Sequence, residues 1–184
     1  MTCVLARRSY LLVAINVLGK VQALQETLSQ AAKQSLDRKF GALFDKVYRM
    51  DVLWSAWRAV RRNNGGPGID GETLDYIENE IGVMRFLREL RDQLRDDTYR
   101  AQPVKRVWIE KPGQNAKRPL GIPSLRDRVV QTAVRLVIEP IFEANFLEHS
   151  YGFRPGKSPH GAIETIQRSI TFEGYREAFC RVWV

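Results

Sequence analysis

The chain has 184 residues, 44% of them hydrophobic and 27% charged, enough to bury one core as a single domain or a piece of one. Its net charge of +8 and isoelectric point near 9.8 point to polyanionic partners. Two cysteines, Cys3 and Cys180, lie near opposite ends without metal-ligand spacing; this excludes a disulfide framework or cysteine metal site and suits a reducing, cytoplasmic setting.

Arg7-Arg8, the apolar run Tyr10–Leu18 and then Val21-Gln22-Ala23 imitate a secretory signal. The run is too short to span a bilayer. Residues 1–23 are therefore read as a separate amino-terminal extension, and no membrane partner is expected. From Leu24 to about Lys39, good helix formers with apolar Leu24, Leu28 and Ala31 or Ala32 predict a surface helix. After a break near Gly41, the spacing of Leu43, Val47, Leu53 or Trp54, Trp57 and Val60 predicts a second helix through Arg62. Trp54 and Trp57 share one face of it and are read as core.

The run Asn63–Gly68 ends that helix, because Asn and Gly supply positive φ and Pro stops the ladder. Asp70 or Thr73 then caps a helix reaching about Arg95. Leu74, Ile77, Ile81, Met84, Leu87 or Leu90 and Leu94 form its apolar stripe. Asp96 and Asp97 are read as helix-end residues, since sequence neighbours on a helix point apart.

Alternation through Val104–Ile109 puts Val104, Arg106 and Trp108 on one strand face and Lys105, Val107 and Ile109 on the other. The turn after Glu110 returns the chain into a second strand, making an antiparallel ribbon with a basic tip. Between Ala101 and Arg135 stand eight basic residues against Glu110 and Asp127, which places +6 of the net charge in one segment. Such concentration favours nucleic acid over a merely solvated face. Ser124 and Asp127 form a capping box opening a helix that is apolar almost all round between Val129 and Ile141. It is read as the buried spine, with Pro140 expected to kink or break it. Ser158-Pro159 opens a last helix to about Ile170. His149 and His160 have no nucleophile beside them and are read as structural.

Three blocks, NNGGPGIDGETLDYIE (residues 63–78), RPLGIPSLRDRVVQ (118–131) and SYGFRPGKSPH (150–160), stand in this order. Together they resemble the first fingers motifs, and the loop preceding them, of reverse transcriptases encoded by group II introns, also called intron maturases. The resemblance covers roughly Gln22 to Ile170. It implies an α+β, mainly α-helical chain in which residues 24–170 form a partial fingers subdomain of a right-hand polymerase with a small antiparallel β-ribbon. The parent activity would be RNA-directed DNA synthesis with help to intron splicing and mobility. RNA, either intron or template, and a DNA primer would be its partners, and Mg2+ the metal of the complete enzyme.

By the same resemblance Lys111 and Arg118, at the two ends of the ribbon turn, hold the phosphates of the incoming nucleotide. Gly66 and Gly68 in the glycine loop, Lys105 and Arg106 on the ribbon, Arg126 and Arg128 at the start of the spine helix, and Arg154 and Lys157 flanking Pro155-Gly156 face template or intron RNA. Tyr151 and Phe153 pack or stack nearby, Phe153 being expected in the core with Arg154 as its functional neighbour. On the residues alone, the glycines equally fit a turn without a ligand, and Lys111 and Arg118 fit ordinary surface charge.

The chain departs from the family after Asp127, beyond which it contains no aspartate. The family would next place a metal-binding aspartate on a strand, and later a tyrosine-containing motif with two adjacent aspartates. The carboxylates beyond Phe153 are Glu164, Glu173 and Glu177. The palm is therefore expected to be missing and residues 171–184 to be a divergent or truncated tail. No catalytic residue, metal ligand or cofactor is assigned, and the chain retains at most RNA binding. The alternatives are a stand-alone, non-catalytic RNA-binding splicing helper and a nonfunctional remnant. An enzyme of another type is disfavoured, because no paired acid, metal cluster or activated nucleophile is present. Apolar surface that would meet the palm is expected to be exposed.

Overall fold

The computed structural model describes residues 2–35, 37–113 and 116–172, with side chains from 17 to 171. Gln114 and Asn115 of the ribbon turn, and the tail from Glu173 onward with Glu177 and Cys180, lie outside the described residues, as does the Cys3 side chain. The elements are α1 (Thr2–Gln34), α2 (Phe44–Val47), α3 (Met50–Asn63), α4 (Leu74–Tyr76) running into a π-helical turn (Ile77–Ile81), α5 (Val83–Arg95), β1 (Lys105–Glu110), β2 (Lys117–Ile122), α6 (Leu125–Asn145) and α7 (Pro159–Phe172). The architecture is mainly helical with one small antiparallel sheet, the α+β class expected.

The spine is α6. Leu125, Val129, Ala133 and Val137 recur every fourth residue and are fully buried, and α6 packs against both α1 and α3. α3 contributes Val52, Leu53, Ala56, Trp57 and Val60, α5 contributes Phe86, Leu87, Leu90 and Leu94, and α1 contributes Val21, Leu28 and Ala32. Each large side chain so buried contributes about 1.5–3 kcal/mol. Trp57 is buried as expected, its ring 5.6 Å from that of Phe86; Trp54 is half-buried.

Three expected helices differ in their boundaries, two of them for an identifiable local reason. α1 is continuous from Thr2 and stops at Gln34, short of Lys39. The single helix expected from Leu43 to Arg62 is two, because Arg49 is extended (φ −62°, ψ 136°) and pairs with Asp51 at 2.6 Å. Thr73 caps α4 by accepting from the Tyr76 amide at 3.1 Å, while Asp70 accepts from the Glu72 amide in the loop before it. The helix then fails to run through to Arg95: the Gly82 amide reaches back to Ile77 at 2.8 Å, and Gly82 adopts φ 84°. This extra residue resets the stripe, so Met84 is exposed and Phe86 takes the buried place.

Pro140 does not break α6, which continues to Asn145. Proline lacks the N–H that would bond the carbonyl four residues back, at Leu136. The Gln25 side chain of α1 donates to that carbonyl at 3.0 Å. An inter-helix bond thus stands where the intra-helix one is lost.

Candidate nucleic-acid interface

The ribbon pairs Lys105 with Ile122 through to Glu110 with Lys117. The Lys111 amide closes the turn on Ala116 at 2.9 Å, and Gly113 turns it with φ 74°. Counting back from that bond, Ile109–Arg118 and Val107–Leu120 are hydrogen-bonded pairs, and Trp108–Pro119 is a non-bonded one. Pro119 is tolerated in the strand because its nitrogen faces the open edge. Residues directly opposite share a face, so one face carries Lys105, Val107, Ile109, Arg118 and Leu120, and Lys111 continues it. Lys111 and Arg118 are therefore diagonal neighbours on one face, a spacing of roughly 7–8 Å between backbones. Both are exposed, and neither forms a side-chain hydrogen bond or ion pair with another described residue. The same holds for Lys105 and Arg106.

The base of the ribbon is held by the start of α6. Asp127 is buried, and its carboxylate accepts from the Ser124 hydroxyl at 2.8 Å, the Gln102 amide at 3.2 Å and the Tyr99 hydroxyl. The Asp127 amide donates back to Ser124 at 3.1 Å, completing the expected capping box. Burial, with the Asp127 carboxylate beside it, holds the Tyr99 phenol well above its ordinary range. Tyr99 and Gln102 lead into β1 and Ser124 follows β2, so one carboxylate fastens both ends. No sequence pattern announced the Tyr99 contact, which spans 28 positions.

The four candidate cations outside the ribbon, Arg126, Arg128, Arg154 and Lys157, are engaged within the protein. Arg128 donates to Pro123 O at 3.0 Å and to Gly66 O, tying the glycine loop to α6. Gly68 is buried, and a Cβ there would lie 2.6 Å from Ser124 Cα, so its missing side chain serves packing. Arg126 lies over the Phe86 ring at 5.1 Å, between Glu89 at 3.7 Å and Glu72 at 4.0 Å.

The second loop reverses an expectation. Arg154, with its side chain only 9% exposed, donates to Glu143 at 2.5 and 3.0 Å, to Leu147 O at 2.7 Å and to Ser150 O at 2.8 Å, and covers the Phe146 ring. Its hydrogen bonds hold the Glu143 carboxyl below the usual carboxylate range. Phe153, expected in the core, is fully exposed at φ 56°. The arginine has taken the inside place because its fork matches one carboxylate of α6 and two carbonyls of the loop that follows it. Lys157 sits 4.8 Å over Tyr151 and donates to Glu148 O. Tyr151 in turn shares a 2.5 Å hydrogen bond with Thr165. His149 and His160 are exposed.

No group of three or more His, Cys, Asp or Glu side chains among the described residues could hold a metal ion, so they do not fit the Mg2+ that the resemblance implies. Asp127, the carboxylate buried nearest the ribbon, is occupied by its three donors. Among the described residues no helix is long and apolar enough to cross a membrane.

No family model matches the chain. Individual proteins do. The chain is 35% identical over 150 residues to the group II intron-encoded protein LtrA of Lactococcus lactis subsp. cremoris, covering 80% of this chain and 24% of that protein. It is 36% identical over 154 residues to protein YkfC of Escherichia coli K12, covering 82% and 39% respectively. Nuclear intron maturase 1, mitochondrial, of Arabidopsis thaliana is 47% identical over 53 residues, which are 29% of this chain and 7% of that one. The chain thus spans well under half the length of the relatives it matches.

Proposed function

Since the chain belongs to the family of group II intron-encoded proteins and intron maturases, we propose that residues 24–170 are the fingers region of an RNA-directed DNA polymerase of that family. In this reading the region binds intron or template RNA, in the cytoplasm. The observation that carries it is the ribbon: Lys105, Arg106, Lys111 and Arg118 stand exposed on a two-stranded projection and make no side-chain hydrogen bond or ion pair with another described residue. A cation already paired inside a protein gains little from a phosphate, whereas a free one releases counterions on binding. Lys111 and Arg118, a point charge and a planar fork on one face, suit a nucleotide's phosphates. Arg126, Arg128 and Arg154 shape the frame that holds the ribbon and loops, and Lys157 lies between the two roles. DNA synthesis, splicing and mobility would belong to a protein that also contains the metal-binding palm.

The test is binding of the purified chain to structured group II intron RNA and to an unrelated RNA of equal length across a salt series. A preference for the intron RNA of tenfold or more (about 1.4 kcal/mol), lost in Lys111→Ala/Arg118→Ala while the melting curve stays put, is the expected result. Weak, equal binding that disappears with salt would overturn the reading and leave unspecific charge.

A further inference from the structure

The ribbon has a second face, and it carries a different chemistry. Arg106, Trp108 and Glu110 of β1 lie opposite Gly121, Pro119 and Lys117 of β2. Trp108 is at the centre and is 57% exposed, whereas Val107 and Ile109, its neighbours on the other face, are half-buried. Its surroundings leave the indole open. Pro119 across the ribbon is flat, diagonal Gly121 has no side chain, and the space above Gly121 is taken by Val104 rather than by Trp108. A tryptophan is among the most costly side chains to leave in water, and the exposed ones serve surfaces that meet something.

The charge around the indole selects the partner. On its own face the indole is flanked by Arg106 and Lys117 against Glu110, which Lys117 reaches only at 4.0 Å, and Lys105, Lys111 and Arg118 on the opposite face bring the ribbon to five cations against that one acid. An apolar protein partner would have to strip water from these cations to reach the ring. An unpaired base does not, because its flanking phosphates meet the cations while its face meets the indole.

We propose that Trp108 is a stacking platform for one unpaired base of single-stranded RNA, with Arg106 and Lys117 beside it receiving the flanking phosphates. The platform rests on the RNA-binding reading above and adds a base contact on the ribbon face opposite Lys111 and Arg118.

The experiment titrates the full chain with an oligouridylate of about eight nucleotides, within the usual single-strand site size, and with an abasic strand of equal length, each over a salt series. Trp108→Ala is expected to weaken oligouridylate binding tenfold or more, with the salt slope unchanged and the abasic strand unaffected. Trp108→Phe, which keeps an aromatic face, retains most of the affinity. Arg106→Ala instead lowers the slope on both strands by about 0.7. Oligouridylate binding by Trp108→Ala equal to that of the parent chain, or an equal loss on the abasic strand, overturns the platform and leaves the RNA-binding reading standing. Failure of the parent chain to bind either strand overturns both.

Discussion

A guanidinium offers five N–H donors in a rigid fork, and what surrounds the fork decides its use. At Arg154 the fork is filled by Glu143 and two carbonyls; at Arg118 no described residue hydrogen-bonds or ion-pairs with it. Arg154→Ala therefore loosens the loop from Phe146 to Lys157, while Arg118→Ala leaves the fold alone. The pair also gives a pH signature. Glu143 has its carboxyl value lowered in the folded state by Arg154, so its contribution is complete above the ordinary carboxylate range and is lost as pH falls through the lowered value. The protection of the 146–157 amides, taken relative to their intrinsic exchange rates, should fall on acidification below about pH 4, the usual carboxylate range, and Glu143→Gln should be unprotected already at neutral pH. A loop whose exchange is the same in both proteins would show that the pair does not hold it. The sequence supplied the cationic residues but not their employment, because whether an arginine is free depends on what the chain brings beside it from eleven positions away.

Among the elements, α6 shows how a rule of local structure can be met from outside. Pro140 removes one backbone donor, and the helix survives because Gln25 of α1 serves the stranded Leu136 carbonyl. Gln25→Ala should cost about 1 kcal/mol in the parent chain, the usual net value of such a bond. In a Pro140→Ala background the backbone amide returns, and the cost of Gln25→Ala should shrink. A urea-unfolding cycle over the two single mutants and the double mutant reads the coupling, and additive costs would show that the Gln25 bond is independent of the proline. The capping box at Ser124 and the alternation of the ribbon were legible, and the cap of α4 was narrowed to Asp70 or Thr73, since each is set by residues within a few positions. The π-turn before Gly82 was not, because a single extra residue there moves Phe86 into the core without changing the overall apolar periodicity.

At the scale of the whole molecule two surfaces have opposite responses to salt. The ribbon is cationic. Beyond it Phe142 and Leu147, near the end of α6, and Ile163, Ile166 and Ile170, along α7, are exposed. An apolar stripe of that kind favours association, and salt that screens the net charge of +8 strengthens it while weakening polyanion binding. Sedimentation of the chain should show self-association that grows with concentration and salt, and Ile163→Ser/Ile166→Ser/Ile170→Ser should reduce it without altering RNA affinity. A parent chain that remains monomeric at high salt would show that the stripe is tolerated in water.

The sequence by itself determined the class of the fold, the helix starts marked by caps, the two faces of the ribbon and the family, because these rest on periodicity, turn residues and motif order. Tertiary structure alone decided which cations are free. Arg126, Arg128 and Arg154 are drawn inward by Glu72, Glu89, Glu143 and by carbonyls of the loops, whereas among the described residues no acid pairs with Lys111 or Arg118 on the ribbon, whose strands pair mainly with each other. Charge can be read from a chain residue by residue; its availability is set by neighbours that only folding supplies.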